Sequence, residues 1–183
     1  MPGISQALRK LAQTLDEEHV PSMLIGGYAL PAYGQIRATQ DIDIAIAAPF
    51  PKVVELHKRL LERGYQLPSA PDERAQLFIL VDLKNRVEIE VWTKPDGVTF
   101  DRELLRRRVK VRPFDDDFVM FAIGPEDFIV NKLSRKDRGV QDEMDVVSVL
   151  ELQNGKLDYE YLAKRAKTAD VMGLLQVLRH KIT

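Results

Sequence analysis

Asp41 and Asp43 stand two residues apart in the run Asp41-Ile42-Asp43-Ile44-Ala45-Ile46. Residues two apart on a strand project from the same face. The pattern therefore predicts a strand over 41–47, with the two carboxylates side by side and Ile42, Ile44 and Ile46 on the opposite face. Carboxylates that close repel unless a cation sits between them. A hard divalent ion that prefers oxygen ligands, Mg2+ or Mn2+, is the natural one. Upstream, the apolar run Met23-Leu24-Ile25 enters Gly26-Gly27. Glycine lets the backbone approach a ligand with no Cβ in the way, and a helix starting there would offer free N–H groups to a phosphate. A phosphate cradle followed by metal-binding carboxylates reads as nucleotide chemistry.

A second acidic run, Arg86-Val-Glu-Ile-Glu-Val-Trp-Thr93, puts Glu88 and Glu90 on one face and Val87, Ile89 and Val91 on the other. Alternating glutamates are common on a solvated strand face, but the upstream aspartate pair favours a third site carboxylate at one of the two positions. Lys132 follows Phe128 by four residues and Ile129 by three, so it borders an apolar helix face. A charge there needs a phosphate or a carboxylate partner. Asp142 and Asp145 share the buried stripe of the next helix with Val146, Val149 and Leu150. Nucleotide binding and an ion pair between Lys132 and one of these aspartates stand as equal readings. Arg37 and Thr39 precede the aspartate strand, and a turn salt bridge accounts for Arg37 as well as contact with a ligand does. Trp92 reads as a core residue, with base stacking as the alternative. His19, His57 and His180 show no ligand spacing.

Several elements must position these groups. Periodicity predicts helices over 5–19 and 52–63, the second stopping at Gly64. A strand is expected over 22–25 and a short helix from Tyr28 to Ala32, where Pro31 fits only the first turn. Polar residues 67–75 read as a loop. Runs 76–83 and 86–93 read as a hairpin about Lys84-Asn85. A short helix is expected over 101–108, then strands over 109–112 and 117–123 around Asp115-Asp116-Asp117. Pro125, with Glu126 and Asp127 behind it, marks a helix start. Helices follow over 125–136, 141–153, 158–167 and 169–180. The expected fold is α+β, a small mixed β-sheet backed by helices with a helical C-terminal extension. Residues 1–123 form the core, and residues 124–183 the extension packed on it.

The 183 residues suffice for a core without staples. With 45% hydrophobic and 30% charged residues the composition is that of a soluble globular protein. Absence of cysteine excludes disulfides and thiolate metal sites. No apolar run approaches the roughly 20 residues of a membrane span, and the first fifteen residues lack the apolar stretch of a signal peptide. A cytoplasmic protein without membrane contact is expected. The net charge of −1 does not by itself indicate nucleic acid. Basic residues nevertheless cluster at Arg106, Arg107, Arg108, Lys110 and Arg112, and again at Lys132, Arg135, Lys136 and Arg138.

The stretch from Leu24 to Ile46 resembles the DNA polymerase β-like nucleotidyltransferase superfamily, with its Gly-Gly turn and Asp-x-Asp strand. It is most similar to minimal bacterial and archaeal members around the AbiEii-type toxins. Gly26, Gly27, Ala29, Leu30, Tyr33, Gly34, Arg37, Thr39, Asp41 and Asp43 match that pattern in order. The run Ile89-Glu-Val-Trp-Thr93 resembles the family's V-D-L-hydrophobic-T, which favours Glu90 over Glu88, although most members carry Asp. Residues 125–133 resemble its P-E-D-L-I-x-x-K-L helix. Its K-D-x-x-D element is half matched, with Gln141 in place of lysine before Asp142 and Asp145.

The resemblance implies transfer of a nucleoside monophosphate from an NTP to a hydroxyl, with Mg2+ or Mn2+ held by Asp41, Asp43 and Glu90 (or Glu88). Asp41, Asp43 and Glu90 would be catalytic. Gly26, Gly27, Arg37, Thr39, Lys132 and Asp142 would bind nucleotide. The AbiEii likeness implies an RNA acceptor such as tRNA and a cognate antitoxin or other partner protein. Aminoglycoside and lincosamide nucleotidyltransferases share the GG…R…D-x-D core, so an antibiotic acceptor is the second reading. Glu in place of Asp supports a third, a catalytically inactive NTP-binding or partner-binding module.

Overall fold

The computed structural model describes residues 2–39, 41–114 and 117–182. A six-stranded mixed sheet runs through its centre in the order β3-β4-β2-β1-β6-β5. The strands are β1 (Ser22–Ile25), β2 (Asp43–Ile46), β3 (Leu77–Asp82), β4 (Val87–Trp92), β5 (Val109–Val111) and β6 (Met120–Ala122). β1 is antiparallel to β2, whereas β2 runs parallel to β4 and β1 parallel to β6. The pairs β3–β4 and β5–β6 are antiparallel. A parallel pair needs a long crossover, and helix α2 (Phe50–Glu62) with β3 supplies the one between β2 and β4.

Helix α1 (Pro2–Glu17) buries Leu8, Leu11 and Leu15, and α2 buries Val53, Leu56 and Leu60. They pack on each other, and α1 reaches β4. Ile44 and Val91 are register partners, so they share a face, and both are fully buried. Alternation then puts Asp43, Glu90 and Trp92 on the other face. The expected alternation is thus realised from Asp43 onward, with Asp41 outside β2, and it separates the Ile44–Val91 core face from the face that carries Asp43 and Glu90.

Helix α3 (Arg102–Arg107) precedes the β5–β6 pair, and helices α4 (Pro125–Ser134), α5 (Val140–Leu152), α6 (Tyr159–Thr168) and α7 (Met172–His180) follow it. α4 packs against α5 and α6 through Phe128, Ile129, Val130 and Leu133, all buried. A polar network pins α6 to it. The Tyr161 hydroxyl donates to Asp127 at 2.8 Å, and Arg165 donates to Tyr161 Oη at 2.7 Å and to Asp101 at 2.8 Å. Burial pushes the Asp127 carboxyl up to about 6, although Tyr161 and Arg165 oppose the shift.

Several boundaries differ from the sequence expectations: the strand expected over 117–123 is only Met120–Ala122, α1 spans Pro2–Glu17 instead of 5–19, and α4 ends at Ser134 instead of 136. Three further differences have a visible backbone setting. Residues 26–33 form a 3-10 helix with Pro31 inside it rather than in its first turn. Its tighter turns are a run of short-range bonds that ends at Gly34, whose φ is 92°. β2 starts at Asp43 instead of 41. Its neighbour β1 ends opposite Asp43 at Ile25, because Gly26, with φ 63°, turns the chain away. α7 starts at Met172 rather than 169, after Asp170 takes a positive φ of 57°. Of the acidic run 115–117, Asp115 and Asp116 lie outside the described residues. Among the described residues no helix is long and apolar enough to cross a membrane.

Candidate active site

Asp43 and Glu90 are direct register partners on the parallel strands β2 and β4. The ladder continues one residue further, with Glu90 N–H donating to Ile42 O at 2.8 Å. The two carboxylates therefore stand side by side on one face. The only tryptophan joins them, its indole N–H reaching Asp43 Oδ1 at 3.2 Å and Glu90 Oε2 at 3.1 Å. Burial first, then the neighbouring Asp43 carboxylate, pushes the Glu90 carboxyl up, while the Trp92 bond opposes this. Glu88 is exposed one pleat away, opposite Val81. It is Glu90, not Glu88, that the register brings to Asp43.

Asp41 is exposed on the segment leading into β2. It borders a cleft of about 480 Å3 together with Asp43. It also borders a smaller hollow of about 140 Å3 with Glu88 and Glu90. Asp41 thus stands between the two, and Asp43 and Glu90 each open to one of them.

Gly26 and Gly27 are required by close approach. A Cβ on Gly26 would fall 2.1 Å from Asp43 Oδ2, and one on Gly27 would fall 2.6 Å from Thr39 Oγ1. The 3-10 helix starts at Gly26, and no side chain caps its N-terminus. Thr39, against Gly27, donates to Asp41 O at 3.4 Å. The glycine backbone thus lies directly against Asp43 and Thr39.

Across the cleft stand Arg37, Lys132, Arg135 and Asp142. Lys132 is 3% exposed and pairs with both aspartates of α5, Asp142 at 2.8 Å and Asp145 at 3.3 Å. The expected ion pair therefore exists and involves both. Arg37 makes no turn salt bridge. It donates through Nε and a terminal nitrogen to the two oxygens of Asp145, each at 2.9 Å. Asp145 is fully buried and also accepts from Gln141 at 3.0 Å. Burial works against the Asp142 anion, but hydrogen bonds from Lys132 and from Gly139 N–H hold its carboxyl below the usual range.

The two basic clusters separate. In the first, Arg107 donates to Asp158 at 2.6 Å and lies over the Tyr161 ring. Arg108 donates to Ser22 O at 2.8 Å and lies over Phe121. Ser22 opens β1 opposite Ile46, at the far end of the strand from the Ile25–Asp43 pair. In the second cluster, Lys132 and Arg135 line the cleft. Arg138 is turned inward to Leu133 O, and Lys136 reaches Asp96 at 4.0 Å.

Sequence reasoning read Trp92 as a core residue with base stacking as the alternative, not as a partner of the carboxylates, and left Asp145 unconnected to Arg37. Trp92 was findable, since it lies two residues after Glu90 on the same face of an alternating strand. The Arg37–Asp145 contact spans 108 residues and carries no local signal.

The donor chemistry suits a hard cation, since Asp41, Asp43 and Glu90 present only oxygen ligands. The absence of a Cβ at Gly26 is what admits Asp43 Oδ2 there. Among the described residues no three acidic or imidazole side chains are gathered closely enough to hold a metal by themselves.

A mixed sheet that presents acids beside a glycine turn, with helices behind, defines the nucleotidyltransferase fold. The chain belongs to the family described as nucleotidyl transferase of unknown function (DUF2204), whose model matches residues 4–175. Among solved structures, the lincosamide antibiotic adenylyltransferase LnuA in its lincomycin-bound form is similar, with a TM-score of 0.52 and 13% identity over 80% of this chain and 96% of that one. The antibiotic-resistance factor ANT(2'')-Ia is similar with a TM-score of 0.51 and 14% identity over 95% of each chain. An antigenic nucleotidyltransferase-like protein from Paracoccidioides brasiliensis has a TM-score of 0.50 and 19% identity, over 91% of this chain and 88% of that one. At these identities the likeness is one of fold. No curated protein matches the sequence.

Proposed function

We propose that the chain transfers a nucleoside monophosphate from an NTP to an acceptor hydroxyl in a reaction dependent on Mg2+ or Mn2+. The observation that carries this reading is the register pairing of Asp43 with Glu90 beside a cleft walled by Gly27, Thr39, Arg37 and Lys132. Asp41, Asp43 and Glu90 would hold the divalent ion. When bound, such an ion polarises phosphoryl oxygens and makes a hydroxyl a better nucleophile. Glu90, the register partner of Asp43, is placed to take the proton of the acceptor hydroxyl. The acceptor oxygen then bonds to the α-phosphorus, the bond to the β-phosphate bridge breaks, and pyrophosphate leaves. Gly26 and Gly27 give the triphosphate close access to backbone. Lys132 and Asp142 form the far wall, and Arg37 and Thr39 fix the segment that leads to Asp41. The protein's contribution is positioning and charge neutralisation, as in phosphoryl transfer generally.

RNA is the acceptor implied by the AbiEii-like sequence pattern. The basic residues add little to it: Lys132 and Arg135 line the cleft but are paired with Asp142, Asp145 and Asp137, and Arg107 and Arg108 are engaged with Asp158 and Ser22 O. The test is incubation of the protein with α-labelled NTPs, Mg2+ and either total RNA or small hydroxylated acceptors. RNA labelling whose efficiency falls steeply with salt supports an RNA acceptor, because phosphate contacts release counterions. Salt-independent labelling of a small acceptor overturns it.

A further inference from the structure

The indole of Trp92 makes a contact that a core filler does not need. Its N–H is a donor with no accepting partner atom on the ring, and it points between Asp43 and Glu90 at 3.2 and 3.1 Å. The register explains how it gets there. Trp92 is the partner of Ala45, a small buried residue, just as Glu90 is the partner of Asp43. The indole thus has room over Ala45 to lean back along the sheet towards both acids. Beyond it the chain turns at Pro95-Asp96, and Asn131 of α4 holds that turn by donating to Asp96 O at 2.8 Å. Gly26 and Arg135 border the same small space. One donor thereby touches both members of a repelling pair, and the surrounding elements fix its direction.

We propose that Trp92 is a positioning residue that holds the Asp43 and Glu90 carboxylates together as one ligand pair for the divalent ion. This rests on the function proposed above. One acceptor would satisfy the N–H of an indole that only filled the core, whereas this N–H is shared between two acids. A ring stacked on a base would have to leave this contact. By bonding one oxygen of each carboxylate, the indole leaves the other oxygen of each for a cation, and it lowers the cost of keeping two like charges adjacent before the ion arrives. Partners that orient ligating groups in this way typically change metal affinity or activity by about 10–100-fold when removed.

Because Trp92 is the only tryptophan, the indole N–H gives one unmistakable cross-peak in a 1H–15N spectrum of 15N-labelled protein. In metal-free protein that peak should move on Asp43→Asn and on Glu90→Gln, since each changes an acceptor of the N–H. Trp92→Phe keeps an apolar ring and removes the donor. With a non-hydrolysable NTP analogue present, its Mn2+ affinity, read by calorimetry or by the free-ion signal in electron paramagnetic resonance, should fall by about 10–100-fold. Its melting temperature tells whether the fold is retained. Should Trp92→Phe be unfolded, the cross-peak of the wild type decides alone. A cross-peak indifferent to both acid substitutions, or a folded Trp92→Phe that binds Mn2+ like the wild type, overturns the proposal. A wild type that binds no Mn2+ with nucleotide overturns the functional reading and the metal role built on it, while the cross-peak still reports whether the indole holds the acids.

Discussion

Arg37 and Asp145 are locked together across 108 residues by two hydrogen bonds of 2.9 Å, one to each carboxylate oxygen. The pair ties the segment that leads into β2 to helix α5, and Lys132 shares the same buried acid at 3.3 Å. Removing the acid leaves Arg37 and Lys132 facing each other with one counter-charge fewer. Asp145→Asn should therefore lose roughly 3–5 kcal/mol of stability, the usual range for breaking a buried pair from one side. Urea unfolding measures this. Arg37→Lys should also weaken the fold, because lysine keeps the charge but cannot make the planar fork. A change below about 1 kcal/mol in Asp145→Asn, as for a surface pair, would mean that the contact does not organise the cleft.

Gly26→Ala tests the close approach on which the carboxylate geometry depends. A methyl group there would sit 2.1 Å from Asp43 Oδ2 on a backbone with φ of 63°. The positive φ alone costs about 1–2 kcal/mol for an L-residue, and Asp43 must rotate away in addition. Thermal unfolding should show the loss of stability, and NTP-dependent Mn2+ binding should drop with it. Gly34→Ala is the control. It also has a positive φ but meets nothing within 4 Å, so it should lose stability without losing ion binding.

Neutralising one member of a repelling pair separates stability from function. Asp43→Asn and Glu90→Gln should each leave the melting temperature equal or higher, yet abolish the strengthening of NTP binding by Mg2+ seen in calorimetry. Glu90→Gln should lower turnover by at least about 100-fold, the scale of a positioned acid or base. Glu88→Gln should change turnover little, because Glu88 is exposed one pleat from the pair. The opposite ranking of Glu88 and Glu90 would contradict the site assembled on β2 and β4.

Asp127 gives the fold a pH dependence away from the cleft. Its carboxyl is raised to about 6 by burial, above the ordinary 3.8. Between these values the folded chain binds more protons than the unfolded one, so stability falls as pH rises. The contribution of the protonated acid is fully present below about pH 4 and lost by about pH 6. Urea midpoints measured across that window should decline for the wild type. Asp127→Asn should remove that part of the slope, and an unchanged slope would assign the decline to other groups.

Much of this site was legible because its parts are local. Gly26-Gly27, the Asp-x-Asp pair and the alternation about Glu90 each follow from strand geometry over a few residues, and the structure preserves that alternation. The Lys132 pair with Asp142 was legible for a similar reason, since a lysine on an apolar helix face must find an acid. What sequence periodicity could not supply was tertiary pairing. Nothing near Arg37 announces Asp145. Asp41 falls outside β2 because β1 turns off at Gly26, a neighbour effect that no single strand carries. Arg107 and Arg108 read as a basic surface, yet Asp158, Tyr161, Ser22 O and Phe121 engage them from distant parts of the chain. Composition records charge but not its partner.

The central claim, nucleotidyl transfer from the Asp43–Glu90 pair, is tested most directly by label transfer with one substitution as control. Wild-type protein and Asp43→Asn are each incubated with α-labelled NTPs, Mg2+ or Mn2+, and acceptors drawn from RNA, protein and small hydroxylated molecules. Released pyrophosphate is measured alongside the labelled product. The predicted result is stoichiometric label transfer and pyrophosphate release by the wild type only when the divalent ion is present, with at least a 100-fold loss in Asp43→Asn, about the scale expected for a positioned active-site group. Equal transfer by the folded Asp43→Asn protein, or tight binding of NTP that never yields pyrophosphate with any acceptor, would contradict the account.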